Sequence, residues 1–304
     1  MSLLIDELVG AAARAATAGG LILKDMMGRY GKADHKGERD MVTAADRQSE
    51  AAIVSAIHQV FPDHAILTEE TGLLGEPSPS PLPAPACAAE YAPARRAMSE
   101  IMWLVDPLDG TTNYCHAFPF FGVSIACMKA QQVVAGAVYC PLSDELFVAG
   151  LGQGAFLNDR RIHVSDTRAL GDSMLATGFP YDIKSDPLYN FDNLIRMESR
   201  VQAIRRLGAA AIDLAYVACG RLDSYWESKL APWDTAAGAL LVTEAGGRIS
   251  DLNGERFDPF KGEVVASNPH IHEQVLDVLT HSKAGMGTAV DALKTKAAQG
   301  ERGV

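Results

Sequence analysis

The chain has 304 residues, more than one small core needs, so one large domain or two intimate subdomains is expected. A content of 48% hydrophobic and 21% charged residues excludes a wholly disordered, collagen-like or coiled-coil chain. The 27 basic and 38 acidic residues leave a net charge of −11, which disfavours a general nucleic-acid or anionic-membrane binder. Clustered carboxylates still leave room for a local cation site.

Apolar residues recur at helical spacing from Leu3 to about Met27, with Gly28 as the stop. This opening carries an early Asp-Glu and no basic leader, so it reads as a helix and not as a signal peptide. No segment reaches the ~18 apolar residues of a membrane span. A polar loop follows, and Thr43-Ala-Ala-Asp46 has the form that opens a helix, here running to about Val60. Ala65–Thr68 is a short strand ending in Glu69-Glu70. Residues 76–97 hold six of the fifteen prolines and read as an exposed insertion without regular structure.

Strands are expected at Met102–Val105 and in an antiparallel meander from Val123 to Val164, where GAFLNDRRIHV is the last strand. Beyond Asp172, strands (Met174–Thr177, Leu222–Trp226, Arg248–Leu252, Val264–Ala266) alternate with helices at about 187–201, 208–218, 233–246 and 269–279. The pattern implies α+β layers: an N-terminal subdomain over 1–165, a C-terminal α/β subdomain over 166–282, and a flexible tail over 283–304. The five cysteines form no CxxC pair and read as reduced thiols of a cytoplasmic protein, mostly small buried hydrophobes.

The sharpest chemical signal is Trp103-Leu-Val-Asp106-Pro-Leu-Asp109-Gly-Thr-Thr-Asn113. A strand would carry Asp106 to its end, and Pro107 would force a turn. Asp109-Gly110 would turn again, so that two carboxylates converge. Gly110 and the threonines offer N–H and hydroxyl groups for an anion beside them. Close carboxylates repel unless they share a cation or proton, and hard oxygen donors favour Mg²⁺, Mn²⁺ or Ca²⁺. An Asx-turn pair without metal fits the same spacing. Asp234, in PWDTAAGALLVTEAGG, lies at a helix start, where an ordinary N-cap is the competing reading. Taken alone, Glu69 and Asp46 carry weak signals, which surface acids and a capping box explain more simply. His116 reads as a packed or rim residue, and Arg205-Arg206 as a strand-end ion pair, with substrate or a dimer partner as the alternative. Trp103 and Trp233 are expected to pack behind the acids.

Taken together, WLVDPLDGTTNY, PWDTAAGALLVTEAGG, the upstream DMVTAAD and the TEE element resemble the inositol monophosphatase family of Mg²⁺-dependent, lithium-sensitive phosphomonoesterases, in the family's order. The resemblance implies the layered α-β-α-β-α sugar-phosphatase fold, as a homodimer. It implies two to three Mg²⁺ ions, replaceable by Mn²⁺, held by Glu69, Asp106, the Leu108 carbonyl, Asp109 and Asp234, with a loose third ion near Glu69. Thr111 and Asp46 would position and deprotonate the attacking water beside Glu69, and Gly110 and Thr111 would bind phosphate. Asp109, Ala210 and Glu227 would meet the substrate's hydroxyls. Lys36 and His35 both fit the family's mobile-loop position.

Two cations about 3.5–4 Å apart suit in-line attack of water on a phosphate dianion. Thr111 cannot itself be the base, but relayed to Asp46 it can order the nucleophile. No cysteine or serine sits in a nucleophile motif. The implied substrate is a small phosphate monoester, with myo-inositol 1-phosphate in the lead. Fructose 1,6-bisphosphate, histidinol phosphate, adenosine 3′,5′-bisphosphate and NADP are the alternatives. A regulatory protein that binds RNA polymerase or RNA machinery is the reading from another class. The intact acid set argues against it, and the −11 charge argues against direct contact with RNA.

Overall fold

The computed structural model describes residues 2–28, 34–35, 41–42, 44–74, 101–179 and 190–280. The insertion at 76–97, Thr43, Lys36, the side chain of His35 and the tail lie outside the described residues. Helix α1 spans Ser2–Met26 and α2 Ala44–His58, while Gly28, at φ 79°, supplies the left-handed stop expected after α1. In α1, Leu8, Ala11, Ala12, Ala15 and Ala16 make one buried stripe. Gly19 and Gly20 let α1 come close to its neighbours. A Cβ on Gly19 would lie 2.7 Å from Ser49 Oγ on α2, and one on Gly20 would lie 2.3 Å from the Tyr139 ring.

Two short strands, β1 (Asp34–His35) and β2 (Met41–Val42), pair antiparallel. The large sheet holds β3 (Ala65–Thr68), β4 (Gly72–Leu74), β5 (Ile101–Asp109), β6 (Gly122–Lys129), β7 (Gln132–Cys140), β8 (Glu145–Gly150), β9 (Gly154–Leu157) and β10 (Arg160–Arg161), in the order β10-β9-β8-β7-β6-β5-β3-β4. It is not wholly antiparallel, because β3 runs parallel to β5. The expected last strand is broken by Asn158 and Asp159, both at positive φ, which turn β9 into β10.

The five-stranded sheet runs β12-β11-β13-β15-β14: Ala203–Arg205, Met174–Thr177, Ser224–Ser228, Glu263–Ser267 and Arg248–Ser250. Strand β12, expected only as a strand end at Arg205-Arg206, has three residues that gain their conformation from parallel pairing with β11. The helices are α3 (Thr111–Cys115), α4 (Phe191–Glu198), α5 (Ala210–Ala218), α6 (Pro232–Glu244) and α7 (His272–Thr280). Helix α7 begins later than expected because the Asn268 side chain accepts the N–H groups of His270 and Ile271 and holds them out of the helix.

Strand alternation sorts the core into layers. On β5, Met102 and Leu104 pack with α5 and α6, while Trp103 and Val105 face α1 and α2. On β13 and β15, Tyr225, Val264 and Ala266 join the α5–α6 side, and Trp226 and Val265 pack with Met197, Val275 and Leu279 of α4 and α7. The fold is therefore α1/α2, sheet, α5/α6, sheet, α4/α7: a mixed α+β, five-layer α-β-α-β-α arrangement. Among the described residues no helix is long and apolar enough to cross a membrane. Cys127 and Cys140 are buried and unbridged, and Cys115 and Cys219 are free and half-buried.

Candidate active site

Pro107 does not end β5. The strand runs on to Asp109 with its register shifted between Asp106 and Asp109 against β6, so the residue lacking an N–H falls where the ladder is already broken. The irregularity also frees the Pro107 carbonyl to accept the Ser49 hydroxyl at 2.7 Å. Gly110 then reverses the chain at φ 88°, where a Cβ would lie 3.0 Å from the Phe120 carbonyl oxygen. Parallel pairing of β3 with β5 places Thr68 beside Val105, and the Glu69 N–H donates to the Val105 carbonyl at 3.1 Å. Glu69 thus emerges next to Asp106.

One cavity of about 260 Å³ is lined by Glu69, Asp106, Leu108, Asp109, Gly110, Thr111, Ala210, Glu227 and Asp234, among others. Asp46 stands behind it, fully buried, with Oδ1 3.3 Å from the Thr111 hydroxyl, which also lies 3.0 Å from the Leu108 carbonyl. Its burial removes the surface reading of Asp46, while its capping-box partner Thr43 lies outside the described residues. Asp234 is not an N-cap: it sits in the first turn of α6, and its Oδ2 accepts the Ala231 N–H at 2.7 Å. Asp106 Oδ1 accepts the Leu108 N–H at 3.0 Å. Asp109 Oδ2 accepts the Ala211 and Ile212 N–H groups at 2.9 and 3.2 Å, at the start of α5.

One oxygen each of Asp106, Asp109 and Asp234 is therefore fixed by backbone, which orients the carboxyl group. Burial, then the charges of Glu69, Asp109 and Asp234, raise Asp106 well above the usual carboxylate range. Asp234 is raised likewise, by burial first and Glu69 next. Burial lifts Asp109 to about 7 against the pull of its backbone bonds. Such crowding of buried acids calls for a cation or shared protons, and carboxylate and carbonyl oxygens fit a hard divalent ion. Among the described residues no three His, Cys, Asp or Glu side chains form a ready-made metal cluster.

Glu227, on β13, accepts the Tyr225 hydroxyl and is lifted to about 7 mainly by burial. It lies against Gly178, where a Cβ would fall 2.1 Å from its Oε2. The rim also includes Phe179, Arg206 and Lys229. Arg206 makes no ion pair among the described residues; its guanidinium lies 5.0 Å from the Phe179 ring centroid. Arg205 ends β12, exposed, and donates to the Ile204 carbonyl. His116 is exposed after α3 and does not line the cavity. Trp233 lines the cavity, while Trp103, on β5, is buried on the α1/α2 side and donates to His64 at 3.1 Å.

Sequence reasoning missed Gly178, Phe179, Lys229, Tyr225, Ser49 and Glu50. Only the last two carried a signal, standing three and four residues after Asp46 on one helix face.

The profile of the inositol monophosphatase family matches residues 4–284. The chain is 40% identical over 269 residues to an inositol-1-monophosphatase of Synechocystis sp., covering 88% of this chain and 87% of that one. It is 39% identical over 282 residues to the Nus factor SuhB of Pseudomonas aeruginosa, covering 90% and 96%. The solved inositol monophosphatase of Anabaena (Nostoc) sp. superposes with a TM-score of 0.78 at 37% identity, covering 91% of this chain and 96% of that chain. Together with the layered fold and its acid-lined cavity, these matches place the chain in the inositol monophosphatase family, as a phosphatase.

Proposed function

We propose that this chain hydrolyses a small phosphate monoester with Mg²⁺, with myo-inositol 1-phosphate as lead substrate, giving inositol and inorganic phosphate. The observation that carries the reading is the convergence of Glu69, Asp106, Asp109 and Asp234, from four separate segments, on one cavity beside the Gly110–Thr111 turn. Glu69, Asp106, the Leu108 carbonyl, Asp109 and Asp234 would hold two to three Mg²⁺ ions, with Mn²⁺ able to substitute. When bound, these ions supply charge neutralisation of the phosphate dianion and acidification of the attacking water.

The protein's own groups do the rest. The Gly110 and Thr111 amides bind phosphate oxygens. The Thr111 hydroxyl, between Asp46 and the Leu108 carbonyl, orders the attacking water and passes its proton toward Asp46. Asp109, Ala210 and Glu227 receive the substrate's hydroxyls, and Tyr225 and Gly178 fix the Glu227 carboxyl in place. The N-terminal half, 1–165, supplies most of the ion ligands, and 166–282 supplies Asp234 and the hydroxyl contacts. The proposal includes lithium inhibition, a homodimer and a cytoplasmic setting.

Phosphate release from inositol 1-phosphate, fructose 1,6-bisphosphate, histidinol phosphate, adenosine 3′,5′-bisphosphate and NADP, with Asp109→Asn as the blank, tests this. Preference for inositol 1-phosphate, abolished in the variant, is the expected result. Preference for another ester would keep the chemistry and change the substrate. A second reading, a regulatory protein contacting RNA polymerase or RNA machinery, is favoured by the relatives named Nus factor SuhB. It becomes the leading one if no ester is turned over in a way that depends on Asp109.

A further inference from the structure

Helix α2 buries an unusual polar face. Asp46, Ser49 and Glu50, at positions i, i+3 and i+4, are 0%, 0% and 6% exposed. Each reaches a different segment of the site. Asp46 meets the Thr111 hydroxyl at 3.3 Å, and Ser49 donates to the Pro107 carbonyl at 2.7 Å. Glu50 uses both oxygens on the turn that carries Glu69: Oε2 accepts the Glu70 N–H at 3.1 Å, and Oε1 accepts the Thr71 hydroxyl.

From the opposite side the same turn is fixed by the Glu69 N–H on the Val105 carbonyl and by the Thr71 N–H on Thr68 Oγ1, both 3.1 Å. Glu50 does not line the cavity, and among the described residues no Lys or Arg pairs with it. A buried carboxylate without a cationic partner is costly, and a neutral side chain would serve plain packing better. What Glu50 gains for that cost is the placement of the 69–71 turn.

We propose that Glu50 is a positioning residue of the site: it clamps the Glu69 turn to the helix that carries Asp46, and so sets the site's affinity for divalent cations. This rests on the reading of Glu69 as an ion ligand. Groups that orient metal ligands through hydrogen bonds characteristically change metal affinity by about 10–100-fold when removed. The tests are Mg²⁺ titration calorimetry without substrate on the full chain, and the Mg²⁺ concentration for half-maximal phosphate release.

Glu50→Ala is expected to weaken Mg²⁺ binding about 10-fold or more, with half-maximal activity moving in step. Glu50→Gln keeps an acceptor for the Glu70 N–H and is expected within about 3-fold of the unmutated protein. Thr71→Val removes one contact from the exposed side of the turn and is expected to fall between them.

Unchanged Mg²⁺ binding in Glu50→Ala, with only a lower melting temperature in EDTA, would overturn the proposal and leave Glu50 a fold-stabilising residue. Should Glu50→Ala not fold, unchanged Mg²⁺ affinity in Thr71→Val overturns it equally. Failure of the unmutated protein to bind Mg²⁺ would overturn both this inference and the reading beneath it, and is distinguished by appearing without any substitution.

Discussion

Removing the titrating group at residue 109 removes a pH dependence that the cavity imposes on the fold. Asp109 is 6% exposed, and its folded-state carboxyl titrates at about 7, against about 4 in an unfolded chain. Between those values the folded state keeps a proton that the unfolded state has lost. Raising the pH therefore draws stability away, by about 4 kcal/mol over the whole window and about 2–3 kcal/mol between pH 5 and 7.5.

Asparagine can still accept the Ala211 and Ile212 N–H groups through its oxygen, so Asp109→Asn removes the titration and keeps the anchor of α5. Urea unfolding in EDTA, run on both proteins across this range, cancels titrating groups remote from the cavity; Asp106 and Asp234, which the Asp109 charge also raises, add to the effect in the same direction. The unmutated protein is expected to lose about 2–3 kcal/mol relative to the variant from pH 5 to 7.5, and to regain it, alone, in saturating Mg²⁺. A difference between the two proteins that stays constant with pH would refute the reasoning.

Gly178→Ala places a methyl 2.1 Å from Glu227 Oε2 and must displace that carboxyl. The KM for inositol 1-phosphate is expected to rise roughly 10-fold, a loss of one charge-assisted hydrogen bond, while turnover of p-nitrophenyl phosphate, which has no hydroxyls, changes little. His272 is fully buried between Ser250 and Ser267, and burial, reinforced by Arg248, lowers it to about 4. Its stability contribution is complete above the unfolded value near 6.5 and fades as the pH falls. The unmutated protein should therefore lose about 2 kcal/mol relative to His272→Asn between pH 7 and 5, read by urea unfolding. Gly238→Ala puts a Cβ 2.4 Å from Leu214 Cβ where α5 meets α6, and is expected to cost about 1–3 kcal/mol by the same assay.

The parts of the site that lie close together along the chain were legible. Asp106 and Asp109 share one strand end, and a strand end, a proline and a glycine announce themselves locally. What Pro107 does there was not legible: whether it turns the chain or sits in a register shift depends on β6, a partner more than ten residues away. That Asp46 also meets Thr111, sixty-five residues along the chain, was not legible until α2 was seen with its polar face inward. Strand β12 has too few residues for a periodic signal and exists through its pairing with β11. Gly178 became meaningful only because β11 and β13 run parallel and bring it against Glu227. Local chemistry marks its own position, whereas a contact between distant segments is written in neither of them.

The most direct test is the initial rate of phosphate release from myo-inositol 1-phosphate as Mg²⁺ is raised from none, in EDTA, to saturation, for the unmutated protein and for Asp234→Asn. Asp234 lies far along the chain from Asp106 yet lines the same cavity. The expected result is no release in EDTA, a saturable rise with Mg²⁺, and a rate at least about 100-fold lower in the variant, from losing a group that the proposal assigns to the cation. Release that persists in EDTA, or that proceeds equally in Asp234→Asn, would contradict the assignment of this cavity as a cation-dependent phosphatase centre.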